Sequence, residues 1–349
     1  MAYFTELNLA VANIWNSADD FEKLLQHLNN ENCKEVIIFC HTEHDHWSWA
    51  QYNKVLDLAK NKNVPVIITN GAYEVYRKIP RQEEYTTVHV PEFFFIYVLS
   101  IYSREKFSLS TVTIKDVTKI DYKNHFISMN RLAHRHRSKM IDILSLYNLI
   151  DNNAISWHNL EPYPYNYKFW EPKVLFLSDT FREGNYDCNY LPTEYYNSFC
   201  QLVVESDVDS LFVTEKTVYP LLLGKPFLVA SCTGFHRYLD SLGFQSYTEL
   251  FDYSFDLEPN ETLRFSMIAD NLRKLSTIPL SDLNALAESV REKVEYNKKM
   301  AIHYAINKDT YPDIFKRFYQ VYKDTGIIVD HYTVSPIIDL ENFDAKLSA

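Results

Sequence analysis

Glycine is scarce in this chain. Its 349 residues include six, Gly71, Gly184, Gly224, Gly234, Gly243 and Gly326. None falls in a G-x-G-x-x-G or G-x-x-x-x-G-K spacing, which excludes the two common glycine-rich phosphate loops. Any bound phosphate must be met by side chains and helix N-termini. Positive charge is also in short supply, with 35 Lys and Arg against 46 Asp and Glu and a net charge of −11. That balance disfavours a polyanion lying across a broad surface and leaves room for a local basic site. The five cysteines are odd in number and show no C-x-x-C pair, so they fit a reducing compartment better than a disulfide framework. No apolar run approaches the ~18 residues of a membrane span. The longest, Phe93 to Leu99, suits a buried strand, and the N-terminus lacks the basic and apolar regions of a signal peptide. The expectation is a cytoplasmic protein with no transmembrane segment.

What is present is apolar and aromatic: 46% of residues are hydrophobic and 15% are Phe, Trp or Tyr. A chain of this length can bury two cores of ordinary size. Short apolar runs alternate with amphipathic stretches, which is the rhythm of βαβ units. Glu35–Cys40 and Val64–Thr69 read as strands on either side of a helix from Ser48 to Lys60. Val88–Ser100 is split by Pro91, and the polar segment Ser103–Lys123 suits a domain boundary. Beyond it, His125–Asn130, Val174–Ser178, Gln201–Glu205 and Pro226–Ser231 read as strands. Helices are expected from His136 to Tyr147, over VTEKTVYPLLLG with Gly224 as C-cap, and from Ser281, itself a possible N-cap. The fold class is therefore α/β, with domains over 1–123 and 124–280 and C-terminal helices and a tail over 281–349.

Three clusters carry possible chemistry. The stretch Gln201–Ser231 reads strand, polar loop, helix, strand, which puts Glu205–Lys216 at the carboxyl edge of a parallel sheet, where α/β folds bind ligands. Lys216 and free helix N–H groups suit a pyrophosphate, and Glu215 suits ribose hydroxyls. The plain alternative is a Glu-Lys pair on a helix surface. Pro220 withholds a backbone donor from the Lys216 carbonyl. The second cluster, Ser128–Leu144, places Arg131, Arg135, Arg137 and Lys139 between a strand and a helix start. Cations are poorly placed at a helix N-terminus, so a bound anion explains them better than a solvated basic turn does. The third is HTEHDHW, His41–Trp47. Glu43, Asp45 or His46 on such a loop suits a general base. His41, His44, Asp45 and His46 also have metal-ligand chemistry without a known spacing, and the plainest reading is a polar loop with Asp45 capping the next helix. Trp47, Trp49, Tyr52 and the loop Pro162–Trp170 offer aromatic faces for sugars or bases. Lone histidines such as His236 and His303 read as structural or surface residues.

The residues Phe212–Lys216, FVTEK, followed by an apolar helix, a small residue and a buried strand, resemble the donor-binding motif of α1,3-fucosyltransferases. VESD at Val204–Asp207 stands where that family has FEN-S/T. The resemblance covers Phe126 to Asp256, and LGFQSYTELFDYSFD at Leu242–Asp256 is closer to viral and bacterial glycosyltransferase-like proteins than to animal enzymes. It implies a GT-B-like fold of two Rossmann-like domains, the first on the acceptor side and the second binding a GDP- or UDP-sugar as substrate, with no prosthetic group. It implies a donor site of Arg131, Arg137, Glu205, Ser206, Phe212, Thr214, Glu215 and Lys216, and an inverting transfer in which Arg137 and Lys216 replace a metal ion. Asp207-Val208-Asp209 has the letters of a DxD motif but lies in the loop after VES. The implied acceptor is a glycan; a hydroxymethylated pyrimidine in viral DNA is the alternative, which would place the protein in a host cytoplasm. A nucleotide-binding scaffold without chemistry is the reading from another class.

Overall fold

A computed structural model describes residues 2–4, 9–13, 18–30, 32–40, 48–71, 81–90, 120–157, 165–177, 191–306, 309 and 313–326. The chain divides into two compact units: Met1–Arg104 with Asp209–Thr214 and Tyr304–Ala349, and Glu105–Val208 with Glu215–His303.

The first unit is built on a five-stranded sheet whose spatial order follows the chain: β1 (Ala2–Phe4), β2 (Leu9–Asn13), β3 (Glu35–Cys40), β4 (Val66–Asn70) and β5 (Thr86–His89). β1 is antiparallel to β2 and the remaining pairs are parallel. Right-handed crossovers in one direction put successive helices on one face. Accordingly α1 (Ala18–Leu28) and α2 (Trp49–Asn61) share a core with Val36, Ile38 and Ile68 through Phe21, Leu24, Tyr52, Val55 and Leu56. The alternate β3 residues Ile37 and Phe39 are buried as well, which is why EVIIFC is apolar on both faces. Helix α2 is capped by Ser48, whose hydroxyl accepts from Gln51 N–H while the Gln51 side chain accepts from Ser48 N–H. This replaces the cap expected at Asp45, and the reciprocal pairing gives the reason.

The second unit holds a four-stranded parallel sheet made of β6 (Asn124–Asn130), β7 (Ala154–Trp157), β8 (Ser198–Val204) and β9 (Phe227–Ala230), in the order β7-β6-β8-β9. The chain steps from β6 through α3 (Arg135–Leu146) to β7 on one side. It then returns past β6, through the short turn α4 (Thr193–Tyr196), to β8 on the other side. Helices α5 (Glu215–Leu222), α6 (Phe235–Ser241), α7 (Glu261–Leu275), α8 (Leu283–Ser289) and α9 (Arg291–Ile306) complete the layers. The last helix among the described residues, α10 (Asp313–Thr325), belongs to the first unit. There Phe318 meets Phe39 with ring centroids 5.6 Å apart and Arg317 pairs with Glu35 at 2.6 Å, closing the face of β3 opposite α1 and α2.

Two expectations are corrected. The strand read at Val174–Ser178 is, over its described residues, one antiparallel bridge between Leu175 and Trp157. Trp157 is the last described residue of β7, and on either side of Leu175 the side chains of Val174 and Phe176 are exposed. The helix read from Ser281 is two helices broken at buried Val290, whose ψ of 4° leaves the helical region. Ser281 sits in a 3-10 turn and donates to the Asp282 carboxylate at 2.9 Å instead of capping. The glycine shortage also has a local remedy. α2 and α3 end on left-handed Asn63 (φ 53°) and Asn148 (φ 56°), after which Val64 N–H bonds the Ala59 carbonyl and Leu149 N–H the Leu144 carbonyl, each at 2.9 Å. Gly224 (φ 66°) ends α5 in the same way, with Lys225 N–H on the Pro220 carbonyl, as its place in the sequence suggested.

Candidate functional site

The order of the second sheet reverses between β6 and β8. Helices and loops that leave these neighbouring strands diverge, and the crevice at their carboxyl ends is where open α/β sheets take ligands. Arg131–Arg137 leaves β6 at this edge, and Glu205 and Ser206 leave β8. The starts of α3 and α5 add backbone N–H groups without helical partners, together with the positive ends of two helix dipoles.

Two cations meet here on one oxygen. The Arg137 guanidinium, on the first turn of α3, donates to Ser206 Oγ at 3.4 Å and to the Leu132 carbonyl at 3.3 Å. Lys216 Nζ, on the first turn of α5, donates to the same Ser206 Oγ at 2.9 Å and to Glu215 Oε1 at 2.8 Å. A hydroxyl has two lone pairs and one proton. With two donors on its oxygen, the Ser206 hydroxyl keeps its proton to give. Arg137 is 5% exposed, so its charge is set into the fold, whereas the Lys216 side chain is 22% exposed. Burial would raise the Glu215 carboxyl, yet the charge and hydrogen bond of Lys216, with Arg137 as a further cation, hold it below the ordinary carboxylate range.

Beneath them lies Glu205, which is fully buried. Its Oε1 accepts from Thr217 Oγ1 at 2.5 Å and its Oε2 from Ser206 N–H at 3.2 Å. Its backbone carbonyl accepts from His136 Nε2 at 2.8 Å. Burial pushes the His136 imidazole down to about 3, and the neighbouring Arg137 adds to the effect. Further along α3, Lys139 pairs with Glu261 at the start of α7. The buried Asp142 carboxylate gathers the N–H groups of Lys168, Phe169 and Trp170 at 2.8 to 3.1 Å. Tyr167 donates to Ser138 at 3.0 Å and Ser145 to the Phe169 carbonyl at 2.8 Å, so the aromatic segment is fastened along α3.

Of the residues expected at a donor site, the fold brings together Arg137, Glu205, Ser206, Glu215 and Lys216. Arg131 lies exposed in the turn after β6. Phe212 and Thr214 are buried and fall in Asp209–Thr214, the strip grouped with the first unit. Glu43, Asp45 and His46 lie outside the described residues, as do the other members of His41–Trp47. Among the described residues there is no cluster of three His, Cys, Asp or Glu able to hold a metal, and no helix long and apolar enough to cross a membrane. His136, Thr217 and Asp142 were not singled out by sequence. Asp142 carried a legible signal, since an acid inside the apolar run MIDIL requires a buried partner. His236, read as a structural or surface residue, is buried, its Nε2 accepting from Val229 N–H at 3.0 Å, and burial lowers it to about 3.

These two imidazoles make the second unit acid-sensitive. Both are neutral in the fold, while in the unfolded chain they take up protons below pH ~6.5. The unfolded state thus binds more protons between pH ~6.5 and ~3, and stability falls as pH drops through that window. Melting temperature should decline from pH 7 to pH 4, and less steeply in the double variant His136→Gln/His236→Gln. An equal slope in wild type and variant would contradict the assignment.

No family model matches the chain, and no curated protein or solved structure shows significant similarity to it.

Proposed function

We propose that this protein is a glycosyltransferase of the GT-B type that moves a sugar from a GDP- or UDP-sugar to a glycan hydroxyl, with inversion and without a metal ion. The observation that carries the reading is the meeting of Arg137 and Lys216 on Ser206, at the carboxyl edge where the second sheet reverses its order. A diphosphate placed there meets two cations, a hydroxyl proton and two helix starts. When the glycosidic bond breaks, its electron pair leaves with the diphosphate, and fixed positive groups stabilise that developing charge. Glu215 is the carboxylate beside Lys216 that suits the ribose hydroxyls, and the resemblance of FVTEK to the fucosyltransferase motif supports the same roles. The base that removes the acceptor proton is assigned to Glu43, Asp45 or His46.

The experiment is a thermal-shift panel of GDP, UDP, CMP and ADP in the presence of chelator. One nucleotide should stabilise the protein, by about 2.7 kcal/mol at a hundredfold excess over its dissociation constant. A shift that needs a divalent ion would overturn the metal-independent reading, and no shift with any nucleotide would overturn the donor site.

A further inference from the structure

Arg137 and Lys216 come from helices that start far apart in sequence, and nothing in either helix alone directs both at one oxygen. Glu205 is in contact with both helix starts. We propose that Glu205 is a positioning residue, a buried bracket that holds the starts of α3 and α5 to the end of β8 and so sets the spacing of the two cations around one anionic group. The inference rests on the anion site proposed above and extends it to groups a ligand does not touch.

Three contacts make the bracket. Through its carbonyl, Glu205 receives the His136 Nε2–H at 2.8 Å, and His136 precedes Arg137. Through Oε1 it receives the Thr217 hydroxyl at 2.5 Å, and Thr217 follows Lys216. Through Oε2 it receives the Ser206 N–H at 3.2 Å, fixing the residue whose hydroxyl both cations address. Glu205 and Thr217 are fully buried and His136 is 9% exposed, so these bonds form away from water. In such surroundings a polar group left without its partner is costly, and the arrangement resists sliding. A carboxylate suits the place because two donors arrive at its two oxygens. Glu205 itself has no exposed surface to offer a ligand, which separates its role from that of Ser206, Glu215 and Lys216.

The test is a double-mutant cycle on inorganic pyrophosphate affinity, measured by calorimetry. Thr217→Val keeps the shape and removes the hydroxyl, and affinity should fall about tenfold, whereas Thr217→Ser should stay within about threefold of wild type. In a Lys216→Ala background the same Thr217→Val change should cost nothing further, because the cation it positions is gone. If Thr217→Val does not fold, Thr217→Ala carries the same cycle. Equal losses in both backgrounds, or no loss in wild type, would overturn the bracket while leaving the anion site standing. A wild type that binds no pyrophosphate would overturn the anion site, and the bracket with it.

Discussion

Lys216→Ala is expected to lower the affinity for the nucleoside diphosphate of the proposed donor by about a hundredfold, roughly 2.7 kcal/mol. A hydrogen bond to a charged group contributes about 1.5–3 kcal/mol, which accounts for most of this. The rest comes from Glu215. Its carboxylate is paired with Lys216 at 2.8 Å, and in the variant the negative charge that Arg137 and its own backbone N–H still favour faces the incoming diphosphate uncompensated. The Lys216 side chain is 22% exposed and lies on the first turn of its helix, so the variant should fold as wild type does. Lys216→Arg restores the charge and should recover most of the affinity. Calorimetric titration of the three proteins checks this, and equal affinities for wild type and Lys216→Ala would remove Lys216 from the site.

The largest expected loss of stability outside the site follows from Asp142→Ala. One buried carboxylate accepts three consecutive backbone N–H groups, from Lys168, Phe169 and Trp170. Deleting it leaves those donors facing a gap, at about 1–3 kcal/mol for each that water does not reach. A total of about 3–5 kcal/mol is expected, which places the change among the severe single substitutions. In a unit of this size that corresponds to a fall in melting temperature on the order of 10 °C. Asp142→Asn keeps an acceptor oxygen and should lose less. A thermal or urea melt decides it, and a loss below about 1 kcal/mol for Asp142→Ala would show that the segment Tyr165–Trp170 is held by its aromatic contacts and by the Tyr167 and Ser145 hydrogen bonds, without Asp142.

Periodicity located the elements that bury both faces or one clean stripe. EVIIFC, HFISMN and the helix from His136 onward stand within a residue or two of where their apolar spacing puts them. It did not locate α10, whose partner on the sheet, Phe39, is more than 270 positions earlier in the chain. A helix that returns from late in the chain to complete a sheet formed near its start leaves no local mark of which face it covers. The break at Val290 escaped notice for a related reason: the apolar series Leu283, Val290, Val294 continues through it, and only the backbone turns. At the site, the charged residues were legible because cations at a helix start are unfavourable without a reason. His136 and Thr217 were not, since each acts by a single hydrogen bond to Glu205, and sequence carries no sign of such a bond between α3, α5 and β8. The strand order that makes this edge a ligand crevice was equally hidden, because β7 is only four residues long and gave no strand signal of its own.

The most direct measurement is a crystal structure of the protein grown with whichever nucleoside diphosphate, GDP, UDP or ADP, gives the largest thermal shift. The diphosphate is expected at the carboxyl edge between β6 and β8, with its oxygens within hydrogen-bond distance of both the Arg137 guanidinium and Lys216 Nζ. A nucleotide bound away from that edge, or held by neither cation, would contradict the assignment.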